Sequence, residues 1–368
     1  MYPVVDLRRA YAHQMPSRVR EPWNPARLAD LAQARAPGTL ADVDALDILC
    51  RSLRDDARLT PLAARPIEQL IVSGLVARLR LDALTADDEA PKTPPIIVCG
   101  LPRSGTTFLH RLLALAPAAR VVPFWELHSP VAGVGPDHRR TDARAALGWL
   151  ARSDAAPGRP MRDDLPDECG LLLRLAAHSQ LYWALAPVHG YLDWLLHADP
   201  APAYAAYRRV LTHLERQQPG RLTLKYPAHA LHLDVLTAAL PGARLVVMHR
   251  DPDEVVPSSH RLVCQFHARL SPDADAQRSI QGNTRRLALQ AERTATNAGS
   301  AAVHIGHRAL MADPVAVVER VHARLGLEPP DRAKLTAFIA EHPRPPRTTQ
   351  TRITPGFEAY RDRFAPLF

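Results

Sequence analysis

Apolar positions along this chain follow two patterns. In the first ninety residues they recur three and four apart, through Leu46, Leu49 and Leu53 and again through Leu70, Leu75 and Leu79. That spacing predicts amphipathic helices. Asn24-Pro25 reads as a capping residue followed by proline at the first helical position. From residue 95 the pattern alternates. Short apolar runs at 95–99, 221–225, 243–248 and 301–305 predict strands, and a brief extended piece covers 120–124. Between and after them, helical spacing is expected near 167–180, 200–217, from 228, over 273–298, and near 313–326 and 329–341. Strands alternating with helices predict a parallel sheet covered by helices on both faces. The predicted organisation is a helical region at 1–92, an α/β core at 93–342 with an acceptor-side helical insertion at about 127–218, and a tail at 343–368. The tail is rich in Pro and Arg and reads as a strap over the surface. No internal repeat is present.

The most informative run is IIVCGLPRSGTTFL, residues 96–109. A buried strand turns through Gly100-Leu-Pro-Arg-Ser-Gly105 into a helix that opens at Thr106 and Thr107. Backbone N–H groups of such a turn converge on one point, and the helix dipole adds positive potential there. The turn therefore reads as a seat for phosphate or sulfate. Its spacing is that of a nucleotide phosphate loop, G-x-x-x-x-G, which continues with Lys and then Ser or Thr in ATP and GTP sites. Here Thr106 stands in the lysine position, and the cation, Arg103, lies inside the loop. A sulfuryl group carries less charge than a phosphoryl group and can be transferred without a metal, so an arginine, two threonine hydroxyls and backbone amides suffice.

A second run, LVVMHRDPDEVVPS at 245–258, puts Arg250 just past a strand and Ser258 eight residues later. An arginine fork with a hydroxyl can grip a terminal phosphate; a plain ion pair from Arg250 to Asp253 or Glu254 is the alternative. Lys225 ends a third strand. The chain has only three lysines, Lys92, Lys225 and Lys334, among 46 basic residues. A chain this rich in arginine retains lysine where arginine will not serve. Ligands of parallel sheets bind beyond the carboxyl ends of the strands, where Arg103, Lys225 and Arg250 all fall.

Together the two motifs resemble the sulfotransferase family that uses 3′-phosphoadenosine 5′-phosphosulfate (PAPS). GLPRSGTTFLHRLLALAP is similar to its 5′-phosphosulfate loop, and LVVMHRDPDEVVPSS to its 3′-phosphate motif. LTLKYPAHALHLDVL and MADPVAVVERVHARLGLEP resemble segments of a bacterial branch, and the likeness runs from about 94 to 330. The resemblance implies a P-loop-type sulfotransferase core. Arg103, Ser104, Gly105, Thr106 and Thr107 would hold the 5′-phosphosulfate, and Arg250 and Ser258 the 3′-phosphate. Lys225 would meet the bridging oxygen. The spent donor would be adenosine 3′,5′-bisphosphate (PAP), and no metal is implied. An Arg-Lys-Gly triplet that well-studied members carry near the C-terminus is lacking; Arg347 and Arg352 are candidates for its place. His307 stands where the bacterial branch often has tyrosine.

The acceptor hydroxyl or amine needs a base. Glu126 is ranked first, because Phe124 and Trp125 would partly desolvate it. His128, Glu168 and His229 compete. Two other readings stay open: a deviant phosphate-loop kinase, and a non-catalytic nucleotide-binding protein.

A formal net charge of +8 is spread along the chain with no basic arm. It reads as attraction for anionic small molecules and not for nucleic acid. No run of eighteen apolar residues occurs, so no membrane span is expected. The N-terminus lacks the apolar core of a secretory signal. Cys50, Cys99, Cys169 and Cys264 lie far apart without metal-type pairing. They read as reduced core residues of a cytoplasmic protein. Trp125, Trp149, Tyr182, Trp183, Tyr191 and Trp194 fall in the acceptor-side region, where they serve an apolar acceptor or the core.

Overall fold

The computed structural model describes residues 23–40, 43–84, 89–151, 162–342 and 354–368. The candidates Arg347 and Arg352, and the side chain of Trp149, lie outside them.

Five strands form one parallel sheet: β1 (Ile96–Gly100), β2 (Ala119–Arg120), β3 (Arg221–Lys225), β4 (Arg244–His249) and β5 (Val303–Gly306). Their spatial order is β2-β3-β1-β4-β5. In register, Val98 of β1 meets Lys225 of β3 on one side, and Gly100 meets Met248 of β4 on the other. Every residue of β1 is buried, as a central parallel strand requires.

Helices cover both faces. The N-terminal region folds as α1 (Pro25–Gln33), α2 (Asp44–Ser52) and α3 (Pro61–Ala83). Asn24 caps α1 by accepting from the Arg27 N–H. Leu28, Leu46, Leu49, Leu75 and Leu79 pack with Tyr182, Trp183 and Tyr191 in one apolar cluster. Those three aromatics therefore serve the core. Next come α4 (Thr106–Leu113), α5 (Phe124–His128), α6 (Arg139–Ala151), α7 (Gln180–Leu185), α8 (His189–His197) and α9 (Ala201–Gln217). They are followed by α10 (Leu233–Ala239), α11 (Pro252–Leu270), α12 (Ala276–Asn297), α13 (His307–Ala312), α14 (Pro314–Leu325), α15 (Arg332–Glu341) and α16 (Glu358–Phe364).

Three segments differ from the sequence expectation. The extended piece at 120–124 shrinks to β2, because Pro123 opens the single-turn helix α5 that carries Glu126 and His128. The helix expected near 167–180 is a 3₁₀ helix over Cys169–Ala176, closed by Ala177 in the left-handed region, and α7 starts separately from Ser179. Residues 354–368 do more than cross the surface. Phe357, Tyr360 and Phe364 are buried against Leu101, Val255 and Leu287. Arg361 donates to Asp253 Oδ1 at 2.7 Å, which docks α16 on the first turn of α11.

Cys50, Cys99 and Cys169 are buried, Cys264 is half-buried, and all four are free. Among the described residues no helix is long and apolar enough to cross a membrane.

Candidate active site

The turn after β1 is shaped by backbone that side chains resist. Gly100 sits at φ +122° and Gly105 at φ +92°, with Arg103 between them at φ +62°. A Cβ on Gly100 would lie 2.2 Å from the Met248 carbonyl oxygen, so β4 can approach only glycine here. Gly105 precedes α4, and no side chain caps the helix. Its first N–H groups are left to a ligand or to water. Ser104 is buried and donates to the Leu101 carbonyl at 2.5 Å, so its hydroxyl braces the turn from inside. Thr106 is buried and Thr107 half-buried at the helix start. Arg103 is exposed.

The second motif meets this turn directly. Arg250 Nη1 donates to the Arg103 carbonyl at 2.7 Å, and Arg103 Nε donates to Ser258 Oγ at 3.1 Å. Arg250 also donates from Nε and Nη2 to Glu254 Oε2, at 2.9 and 2.6 Å. The i, i+4 pair on α11 fixes the plane of the guanidinium, while Asp253 is taken by Arg361 and the Thr354 N–H. Residues 147 positions apart thus meet in direct contact.

Lys225 stands on β3, the strand beside β1. It is fully buried at the end of β3, and its Nζ donates to Glu168 Oε1 at 2.8 Å. Glu168 is half-buried at the start of the 3₁₀ helix, and its side chain keeps 34% of its exposure. The other base candidates are differently placed. Glu126 Oε1 accepts from Arg120 Nη2 at 2.6 Å in an ion pair whose side chains are 7% and 3% exposed. Burial raises the Glu126 carboxyl, and the Arg120 guanidinium opposes that shift. His128 is buried beside Phe124, its Nδ1 3.0 Å from Ser129 Oγ, and burial pushes it down to about 3. His229 is wholly enclosed. Its Nδ1 lies 2.8 Å from the Tyr204 hydroxyl and its Nε2 3.4 Å from Cys169 Sγ, and burial holds it neutral, down to about 3. Of the four candidates, Glu168 is the one in contact with Lys225.

Sequence reasoning missed two contributors and left a third, His307, without a role. Gln290 on α12 donates from Nε2 to the Gly100 and Pro227 carbonyls, both at 2.9 Å, and so ties the phosphate-type turn to the segment after Lys225. Arg286, one turn earlier, is buried beneath it. His307 Nδ1 donates to the Ser104 carbonyl at 3.1 Å. Arg286 and Gln290 stand in a helix whose composition is strongly polar, and nothing in that pattern separates a buried arginine from a solvated one. Among the described residues, no group of His, Cys, Asp and Glu is arranged to hold a metal. A cavity of about 150 Å³ lies elsewhere, lined by Leu46, Leu75, Leu175, His178 and Trp194 among others.

The fold is a parallel α/β sheet in which a glycine turn feeds an open helix N-terminus and two further cations stand at neighbouring strand ends, an arrangement whose chemistry suits an anion. The chain belongs to the sulfotransferase family, whose model matches residues 94–331. It is similar over its length to two solved structures. Sulfotransferase STF9 from Mycobacterium avium is 24% identical, with a TM-score of 0.75 over 93% of this chain and 95% of that one. Sulfotransferase STF1 from Mycobacterium tuberculosis H37Rv is 26% identical, with a TM-score of 0.71 over 94% of this chain and 99% of that one. No curated protein matches.

Proposed function

We propose that this protein transfers a sulfuryl group from PAPS to a hydroxyl or amine of a small-molecule acceptor, releasing PAP. The observation that carries this reading is the contact of Arg250 with the Arg103 carbonyl and of Arg103 with Ser258. It joins the two motifs into one cradle, as a nucleotide with phosphates at both ends of its ribose needs. The residues fit such a donor. The backbone around Gly100 and Gly105 leaves no room for a Cβ at the first and little at the second, and the start of α4 is uncapped. Thr106 in place of a lysine disfavours the kinase reading.

In this proposal Arg103, Ser104, Gly105, Thr106 and Thr107 hold the 5′ end, with Ser104 acting through the shape of the turn. Arg250 and Ser258 hold the 3′-phosphate. Lys225 stabilises the bridging oxygen as it gains charge, an interaction stronger in the transition state than before it. Glu168 takes the acceptor proton. The buried Arg120 pair argues against Glu126 in that role. The Lys225–Glu168 contact couples the two events. A proton arriving on Glu168 cancels the charge that holds Lys225, and the ammonium is then free for the departing oxygen.

Thermal shift and calorimetry test the reading. PAP without magnesium should raise the melting temperature, and ATP with magnesium should not. The reverse result refutes it. Transfer of labelled sulfate across a panel of phenols, alcohols and amines separates an enzyme from a binding protein. Tight PAP binding with no transfer to any of them would favour the non-catalytic alternative.

A further inference from the structure

Four carbonyls of the turn after β1 are held by side chains. Gln290 Nε2 donates to that of Gly100 at 2.9 Å, Ser104 Oγ to that of Leu101 at 2.5 Å, and Arg250 Nη1 to that of Arg103 at 2.7 Å. The carbonyl of Ser104 accepts from His307 Nδ1 at 3.1 Å. A carbonyl oxygen only accepts, so it is Nδ1 that carries a proton on this ring. The peptides of the turn are trans, and in a trans peptide the C=O and the following N–H point in opposite directions. Each held carbonyl therefore aims the next N–H the other way. Pro102 has no N–H to aim, which leaves those of Leu101, Ser104 and Gly105.

His307 differs from the other holders in origin. It lies in neither motif and opens α13 directly after β5, the strand at the edge of the sheet. It is half-buried, and its ring lies against the glycine that ends the turn. A Cβ on Gly105 would sit 3.2 Å from His307 Nδ1 and 3.7 Å from Cε1. The ring thus holds the Ser104–Gly105 peptide by its oxygen, and the Gly105 N–H faces away from it. Gly105 immediately precedes Thr106, the first residue of α4. Its N–H therefore adjoins the uncapped amides at the start of that helix, where an anion is favoured.

We infer that His307 is a positioning residue for the 5′ end of the nucleotide: by holding the Ser104 carbonyl it presets the Gly105 N–H as a donor to the 5′-phosphate. The inference rests on the proposed donor. A peptide free to turn over would present either its N–H or its carbonyl oxygen to the ligand, and the oxygen repels an anion. His307 removes the second arrangement before the ligand arrives.

The test measures affinities by calorimetry for PAP, adenosine 5′-phosphate and adenosine 3′-phosphate. Leu and Asn share a branched shape and differ in the amide, whose nitrogen can take the place of Nδ1. His307→Leu should weaken PAP and adenosine 5′-phosphate about tenfold, the scale of one hydrogen bond to a charged group. Adenosine 3′-phosphate should bind as before, which a general loosening of the fold would not allow. His307→Asn should stay within about threefold of wild type for all of them. His307→Phe keeps a ring without a donor and should behave as His307→Leu; either of these two suffices if the other fails to fold. Wild-type PAP affinity in the donorless variants, equal loss of every ligand, or a loss that Asn does not restore overturns the inference and leaves the sulfotransferase reading standing. A wild-type protein that binds none of the ligands removes both.

Discussion

The ammonium of Lys225 and the carboxylate of Glu168 meet at 2.8 Å, one group fully buried and the other half-buried. The pair stands where β3 ends and the 3₁₀ helix over Cys169–Ala176 begins. Truncating Lys225 to alanine should lower turnover about a hundredfold, the scale of a lost transition-state contact. Donor affinity should fall much less. Single-turnover rates against PAP titrations make the comparison, and loss confined to affinity would exclude the leaving-group role.

Two carboxylates compete for the proton, and their surroundings separate them. Glu168→Gln should reduce turnover by about 10² to 10³ with the fold intact. Glu126→Gln should instead destabilise the protein by about 3–5 kcal/mol, because the buried Arg120 loses its charge partner. The folded fraction of that variant should still transfer sulfate. Denaturant melts and initial rates on both variants settle the assignment, and the opposite pattern would return Glu126 to the base position.

Arg103 and Arg250 should not behave as independent sites. Each alanine variant should weaken PAP binding about ten- to a hundredfold. The double variant should lose less than the sum of the two, since Arg250 grips the Arg103 backbone and Arg103 grips Ser258. Calorimetry on the four proteins of the cycle reads the coupling. Strict additivity would mean that the two motifs hold ligand separately.

Stability should fall in acid, for a reason the buried histidines supply. Burial holds His128, His229 and His249 down to about 3 and His110 to about 4. In the unfolded chain each titrates near the ordinary value of about 6.5. Between those limits the unfolded chain binds protons that the folded chain refuses. Stability is thus fully present above about pH 6.5 and is lost as pH drops toward 3, by up to about 1.4 kcal/mol per pH unit for each histidine. Urea midpoints at pH 7.5, 6.5 and 5.5 should decline in that order, and His249→Gln should flatten the slope. Midpoints that do not change with pH would mean that these rings are protonated inside the fold.

Gly100→Ala should cost several kcal/mol and abolish PAP binding. The added methyl meets the Met248 carbonyl at 2.2 Å, in a backbone region closed to alanine. A soluble variant with wild-type melting temperature would show that β1 and β4 can separate.

Much of this was legible in the sequence because it is encoded locally. A fully apolar strand, glycines at the required positive φ values and an arginine after a strand each leave a signature within a dozen residues. The sheet's parallel order and the meeting of Arg103 with Arg250 follow from those signatures together with the rule for strand ends. Contacts that depend on two distant elements were not legible. The six-residue step from Arg120 to Glu126 looks like any other spacing, yet the turn at Pro123 folds it into a buried ion pair. The polarity of α12 conceals Gln290 and Arg286. In the final segment the signal was present and outweighed: Phe357, Tyr360 and Phe364 fall at helical intervals, but Arg and Pro dominate the composition around them.

One amide, that of Gln290, ties the end of β1 to the segment after β3 by holding the carbonyls of Gly100 and Pro227. With both segments pinned to the same helix, the proposed nucleotide seat would behave as an anvil: stiff before anything is placed on it, and sparing the ligand the entropy of ordering it. In the proposed enzyme, room for an acceptor would then be left to the side of the 3₁₀ segment and α5, which belong to no strand pairing.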